Sequence, residues 1–287
     1  MQSNQMVVEQ LLNTAAYPLL TGAAVSLALG KLTRIPRDAA VAVALLAGFA
    51  VGFFAVSGFG EFPPIKVHEW LPYTGLPPLI LFLVCSKQGQ KVQAIAALVV
   101  VALVFWLDFA PITHAFSVPA LIAWLIGSAI AWLGLWHVWD RSRDEQPRRE
   151  FFLLFVVIAT GVSLVSVLDG GAVIGQAAGS LAAASGGIFL ASLLQPKLEA
   201  GSATIAVFLC LFAGLLVNAY HYVEVRPLPV ALAYCAGFCV LLLKHGGLRE
   251  ASFIKRTSLT CLAGLLPIII AVIFLLMNAP VDDYYDY

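Results

Sequence analysis

Charge is what this chain has least of. Asp, Glu, Lys and Arg together make up 11% of its 287 residues, against roughly a quarter in soluble domains. That scarcity excludes an ordinary water-exposed domain with a core of its own. Formal net charge is zero, which removes the basic footprint that a nucleic-acid partner requires. Cysteine is scarce too. Cys85, Cys210, Cys235, Cys239 and Cys261 all fall in or beside apolar runs, with no CxxC and no Cys/His metal spacing. A secreted disulfide scaffold is thereby excluded, and the five read as small core- or lipid-facing residues. Residues 1–10 hold no Lys or Arg, so the first apolar run reads as a retained helix and not as a cleaved signal peptide. There is no P-loop, no GxGxxG after a strand, no GxSxG and no HExxH. The sequence requires no cofactor, and an enzyme is the less favoured reading.

What is present is apolar length. Hydrophobic residues make up 61% of the chain, gathered into runs of the length that crosses roughly 30 Å of hydrocarbon. Ten spans are expected, over 11–30, 39–59, 71–86, 92–109, 119–139, 151–168, 172–194, 202–220, 227–243 and 257–277. The predicted fold class is an all-α, polytopic integral membrane bundle, a single domain over 1–287. Small residues recur at every fourth position on four spans, for example Gly171, Gly175, Gly179, Ala183 and Gly187 on the seventh. Such faces let helix backbones approach closely in lipid, so the seventh span is expected at the centre. They also suit a homo-oligomer or a membrane-complex partner.

Lys and Arg set the orientation. Alternate loops hold Lys31, Arg34 and Arg37; Lys87 and Lys91; Arg141, Arg143, Arg148 and Arg149; Lys197; and Lys244, Arg249, Lys255 and Arg256. These are fourteen of the sixteen basic residues, leaving Lys66 and Arg226 on the other side. The positive-inside rule places the fourteen in the cytoplasm and both termini outside. A cell membrane, the inner membrane of a bacterium, is the expected location. Trp136 and Trp139 precede the basic 140–150 loop and read as interfacial anchors. That loop reads as solvated.

An internal repeat is a further expectation. Small-residue faces occur in spans 1–2 and again in spans 7–8. Proline-rich lead-ins precede the short spans 3 (Pro63, Pro64, Pro72, Pro77, Pro78) and 9 (Pro227, Pro229). Halves 11–109 and 172–280 would then be parallel repeats, joined by a two-helix connector at 119–168. Short, proline-interrupted spans in matching positions point to a transporter binding site.

The chemistry-bearing residues lie on the outer side. The stretch Ser57–Pro78 holds Glu61, His68 and Glu69. Asp108 ends the fourth span, and Asn218, His221 and Glu224 close the eighth. Histidine with carboxylate suits a divalent metal or proton transfer, which makes His68, His114 and His221 the metal candidates. Asp169 reads as an N-cap of the seventh span or as a simple boundary marker at the end of the sixth. No span carries a carboxylate or Arg near its centre, which weighs against a proton pump. These residues predict a small-solute or ion permease with a site at the outer ends of spans 3, 4, 8 and 9. The alternative is a non-catalytic membrane subunit of a larger complex. A third reading is a membrane enzyme with an outer His/carboxylate metal site.

Overall fold

A computed structural model describes residues 2–32, 36–60, 62–85, 116–143, 149–244 and 251–278, together with positions 99, 102, 103 and 106. Among the described residues every element is helical. Helix α1 (Gln2–Leu11) passes through a π turn (Leu12–Ala16) into α2 (Tyr17–Gly30). Pro18 explains the turn. It has no N–H to donate to the carbonyl four residues back, and a π turn accommodates the gap. Then come α3 (Arg37–Ser57), a 3₁₀ turn (Val67–Trp70), α4 (Leu71–Thr74) and α5 (Leu76–Cys85). The second half of the described chain holds α6 (Val118–Arg143), α7 (Glu150–Leu168), α8 (Ala172–Leu194) and α9 (Ser202–His221). Helix α10 (Pro227–Ala236) runs on into a 3₁₀ segment (Gly237–Lys244), and α11 (Phe253–Met277) is the last.

Seven of these helical stretches are long and apolar enough to cross a membrane, and the helix Pro227–Leu242 is shorter. The chain is a multi-pass membrane protein by this measure. Seven of the ten expected spans match these helices. The expected fourth span, 92–109, lies outside the described residues apart from isolated positions. The third and ninth spans are present but interrupted. At the third, Pro77 and Pro78 lack the N–H groups that would serve the carbonyls of Tyr73 and Thr74, and the helix breaks at Gly75. At the ninth, regular α-helix ends at Ala236. There Trp139 donates its indole N–H to the Gly237 carbonyl at 2.7 Å, which satisfies a backbone group that a break would otherwise strand. Trp139 is fully buried. This corrects its expected place at the interface. Its ring stacks on Phe155, which stacks in turn on Phe208 at 3.9 Å.

Helix α8 packs on α2, α3 and α7, in the central place its small residues predict. The approach is close. A methyl group on Gly22 would lie 2.6 Å from the Ala184 carbonyl oxygen, and one on Gly187 would run into the Leu19 carbonyl. Helix α9 is more buried still: 83% of its most apolar window is inside the structure, against 61% for α8. The centre therefore holds two helices, where the residue pattern singled out one.

Polar bonds tie the helix ends across long sequence separations. Asp38, in the first turn of α3, caps α9: its carboxylate accepts from the backbone N–H groups of Gly201, Ala203 and Thr204 and from the Thr204 hydroxyl. The N-terminal ends of α3 and α9 thus meet, and the two helices run parallel. Glu150 and Arg256 form a buried, bidentate ion pair between the starts of α7 and α11. Glu150 is 1% exposed, a correction to the solvated end of the 140–150 loop. Asp169 does not cap α8. Its carboxylate accepts from the Arg226 backbone N–H at 2.8 Å and lies 3.5 Å from that residue's Nε.

Candidate functional site

Helix α9 divides the candidate residues into two groups. On one side it meets α3, α4 and α5, where a methyl group on Gly75 would touch Leu46 of α3 and Val207 and Leu211 of α9. Asn218 follows Val207 by about three full turns and shares its face. It is completely buried. Its amide nitrogen donates to the Gly214 carbonyl at 2.9 Å, and its Oδ1 has no partner among the described residues. His68 belongs to the same side, its ring 6.4 Å from that of Phe53. Phe53 lies two turns beyond Leu46, as Asn218 lies two turns beyond Leu211. In parallel helices this puts His68 and Asn218 at similar height.

Glu69 has local work. Its Oε2 accepts from the N–H groups of Ile65 and Lys66 at 3.1 and 3.2 Å. The carboxylate closes the turn that leads into α4, so capping accounts for a residue expected to bind. His68, next to it, is half-buried. Desolvation lowers its pKa; the Glu69 charge opposes that shift and Lys66 adds to it.

On the opposite face of α9, with α6 and α10, lies a groove of about 310 Å³. Its walls are almost wholly apolar and include Trp132, Leu209, Phe212 and Tyr234. The Tyr234 hydroxyl is taken up by the Ala131 carbonyl at 2.7 Å. Besides Tyr234, Ser128 and the Trp132 indole on the wall, three polar rings gather at one end. There the His221 ring meets Trp124 edge-on at 4.8 Å and Phe116 at 5.6 Å, with Tyr220 packed beside both His221 and Trp124. Trp132, 4% exposed, keeps a buried indole N–H with no acceptor among the described residues.

His68, Glu69 and Asn218 therefore lie outside the groove lining, while His221, three residues beyond Asn218 and about 60° round α9 from it, stands at the groove's edge. Glu224 lies in the exposed turn after α9, with a left-handed φ of 60°. Glu61, Asp108 and His114 lie outside the described residues. Among the described residues no three His, Cys, Asp or Glu side chains group closely enough to hold a metal ion. The groove itself escaped sequence reasoning. Its aromatic residues come from three separate helices, and the one legible signal was the cluster Asn218–Glu224.

No protein-family model matches the sequence, and no curated protein matches it.

Proposed function

We propose that this protein is a permease for a small solute, set in a cell membrane by ten spans with both termini outside. The bacterial inner membrane fits the distribution of its basic residues. One observation carries the reading: the two short, proline-entered helices are both interrupted, at Gly75 and at Gly237, and α4, α5 and α10 all pack on the buried helix α9. Interrupted helices inside a membrane leave backbone groups and hinge points beside a central element, which is how carriers build midplane sites. The solute would pass along α9. Asn218 would offer on one face the Oδ1 that finds no partner among the described residues, and His221 would stand at the outer end of the groove face. The parallel-repeat arrangement belongs to this proposal, with spans 3 and 9 as the corresponding broken pair.

Cysteine labelling tests it. In a chain whose five native cysteines are replaced by alanine, Leu211→Cys places a thiol on the α4-facing side of α9, where Leu211 is completely buried. A permease that opens around the broken helices exposes this thiol to a membrane-impermeant maleimide within minutes in proteoliposomes. Full protection from reagent on both sides, with the exposed control Leu76→Cys reacting, would overturn the reading. The dry packing of α2, α3 and α8 favours the second reading, a non-catalytic membrane subunit. Protection of the Leu211→Cys thiol is the result that reading expects.

A further inference from the structure

We propose that the groove between α6, α9 and α10 binds a single-chain fatty carboxylate. The hydrocarbon tail would lie along Phe212, Trp132 and Leu209, and the carboxylate would sit at Trp124, Tyr220 and His221. The inference names the substrate class of the proposed permease. It rests on that reading for release across the membrane, and not for binding itself.

Three features of the groove select this ligand. The first is size. At about 310 Å³ it falls at the small end of ligand pockets, with room for one chain and not for a two-chain bilayer lipid. The second is shape. From Tyr220 to Leu209 the α9 wall runs about 16 Å at 1.5 Å per residue, which is about half of a roughly 30 Å hydrocarbon core. A chain lying there would occupy one leaflet's depth. The third is the asymmetry of polar groups. The long wall is mainly apolar, with Ser128, the Trp132 indole N–H and a Tyr234 hydroxyl already taken by the Ala131 carbonyl as its polar groups, while the end near the α9–α10 turn gathers an indole, a phenol and an imidazole, all able to donate. Close by, Asp169 pairs with Arg226, and Glu224 is exposed in the turn.

The head must carry the preference. Lipid tails are as apolar as the groove wall, so a tail gains little by leaving the bilayer for the groove. Donor-bearing rings packed together at one end are what a bulk lipid tail cannot use and a carboxylate can. Chain and head therefore make separable contributions, and the experiment separates them.

The full-length protein is reconstituted in unbrominated phosphatidylcholine vesicles and titrated with a chain-brominated fatty acid, with tryptophan fluorescence as the readout. Trp124 and Trp132 line the groove, so an occupant there quenches them by contact. The expected result is a saturable component with the free acid that its methyl ester lacks. Ala213→Phe, which fills the groove, abolishes that component, whereas Leu164→Phe on the exposed flank of α7 leaves it unchanged. Tyr220→Phe and His221→Phe each weaken it about tenfold or more, the loss of one hydrogen bond to a charged group. Equal, non-saturating quenching by acid and ester would overturn the proposal, as would saturation that survives Ala213→Phe. Maleimide labelling of the Leu211→Cys thiol in the same vesicles reports on the permease reading separately. A protected thiol with saturable acid binding removes the permease and keeps the site, while a labelled thiol without saturable binding does the reverse.

Discussion

The two flanks of the bundle are built on different principles. On one flank α2, α3 and α8 meet through glycine, alanine and serine, and their backbones come together until an added methyl group has no room. On the other, α6, α9 and α10 meet through tryptophan, tyrosine and phenylalanine. They leave a groove, and one of the three helices loses regular geometry at Gly237. Small residues pack without gaps because their surfaces are nearly featureless. Large rings have edges, and where three such surfaces meet the fit is incomplete. The first flank has one good arrangement. The second has space, polar ring atoms and a break in a helix, which suit binding. The contrast teaches that the small-residue faces mark the frame and that the groove lies where they are missing.

The largest expected effect falls on the seam that holds α7 to α11. Arg256→Met strands the Glu150 carboxylate, 1% exposed, without its counter-charge. Breaking a buried pair in this way costs about 3–5 kcal/mol. Thermal unfolding in detergent should show it, and the double variant Glu150→Gln/Arg256→Met should recover most of the loss. If the single variant unfolds with the parent, the pair is not the clamp its geometry describes.

Gly187→Ala comes next and tests the contrast itself. The new methyl group meets the Leu19 backbone carbonyl, which cannot move aside as a flexible side chain would. Overpacking of this kind costs about 1–3 kcal/mol. Ala213→Phe on the groove side adds far more volume yet projects into open space, so its effect on unfolding should stay within about 0.5 kcal/mol. Equal destabilisation by the two would erase the distinction between a dry frame and a groove.

The frame was legible in the chain and the site was not, for a physical reason. Membrane spans announce themselves by length and composition, and the expected 172–194 and 202–220 agree with Ala172–Leu194 and Ser202–His221 to within a residue. The fourfold spacing of Gly22, Ser26, Gly48 and Gly187 is local, and it placed those faces correctly. The bonds of Asp38 to Thr204 and of Glu150 to Arg256 join residues 166 and 106 positions apart. No local pattern records such pairing. Glu69 shows the converse limit. Read alone, an acid beside a histidine looks like chemistry, but its nearest unpaired donors were the N–H groups of its own turn. The groove depends on how three helices fail to fill space, a property of their packing that no single segment carries.

The smallest effect concerns His68, on the α3 side, and asks whether that flank is insensitive to pH. Burial lowers the His68 pKa below its ordinary value of about 6.5. The folded state therefore holds the neutral ring more tightly than the unfolded chain does. The stability this contributes is fully present above 6.5. It falls away as pH drops below that value and is lost on passing through the folded-state pKa. The ring is only half-buried, so solvent screens the effect and the slope is shallow. As pH falls from 7.5 to 5, the unfolding temperature of the parent should fall relative to that of His68→Gln. Glu69 complicates the sign, because its charge stabilises the protonated ring. In Glu69→Gln that opposition is gone and the capping carbonyl remains, so the pKa falls further and the parent's slope steepens. A slope that flattens in Glu69→Gln would mean that the carboxylate, and not burial, governs this histidine. The α3 flank would then hold a charged pair facing the membrane surface, and the contrast between a dry frame and a chemical groove would have to be redrawn.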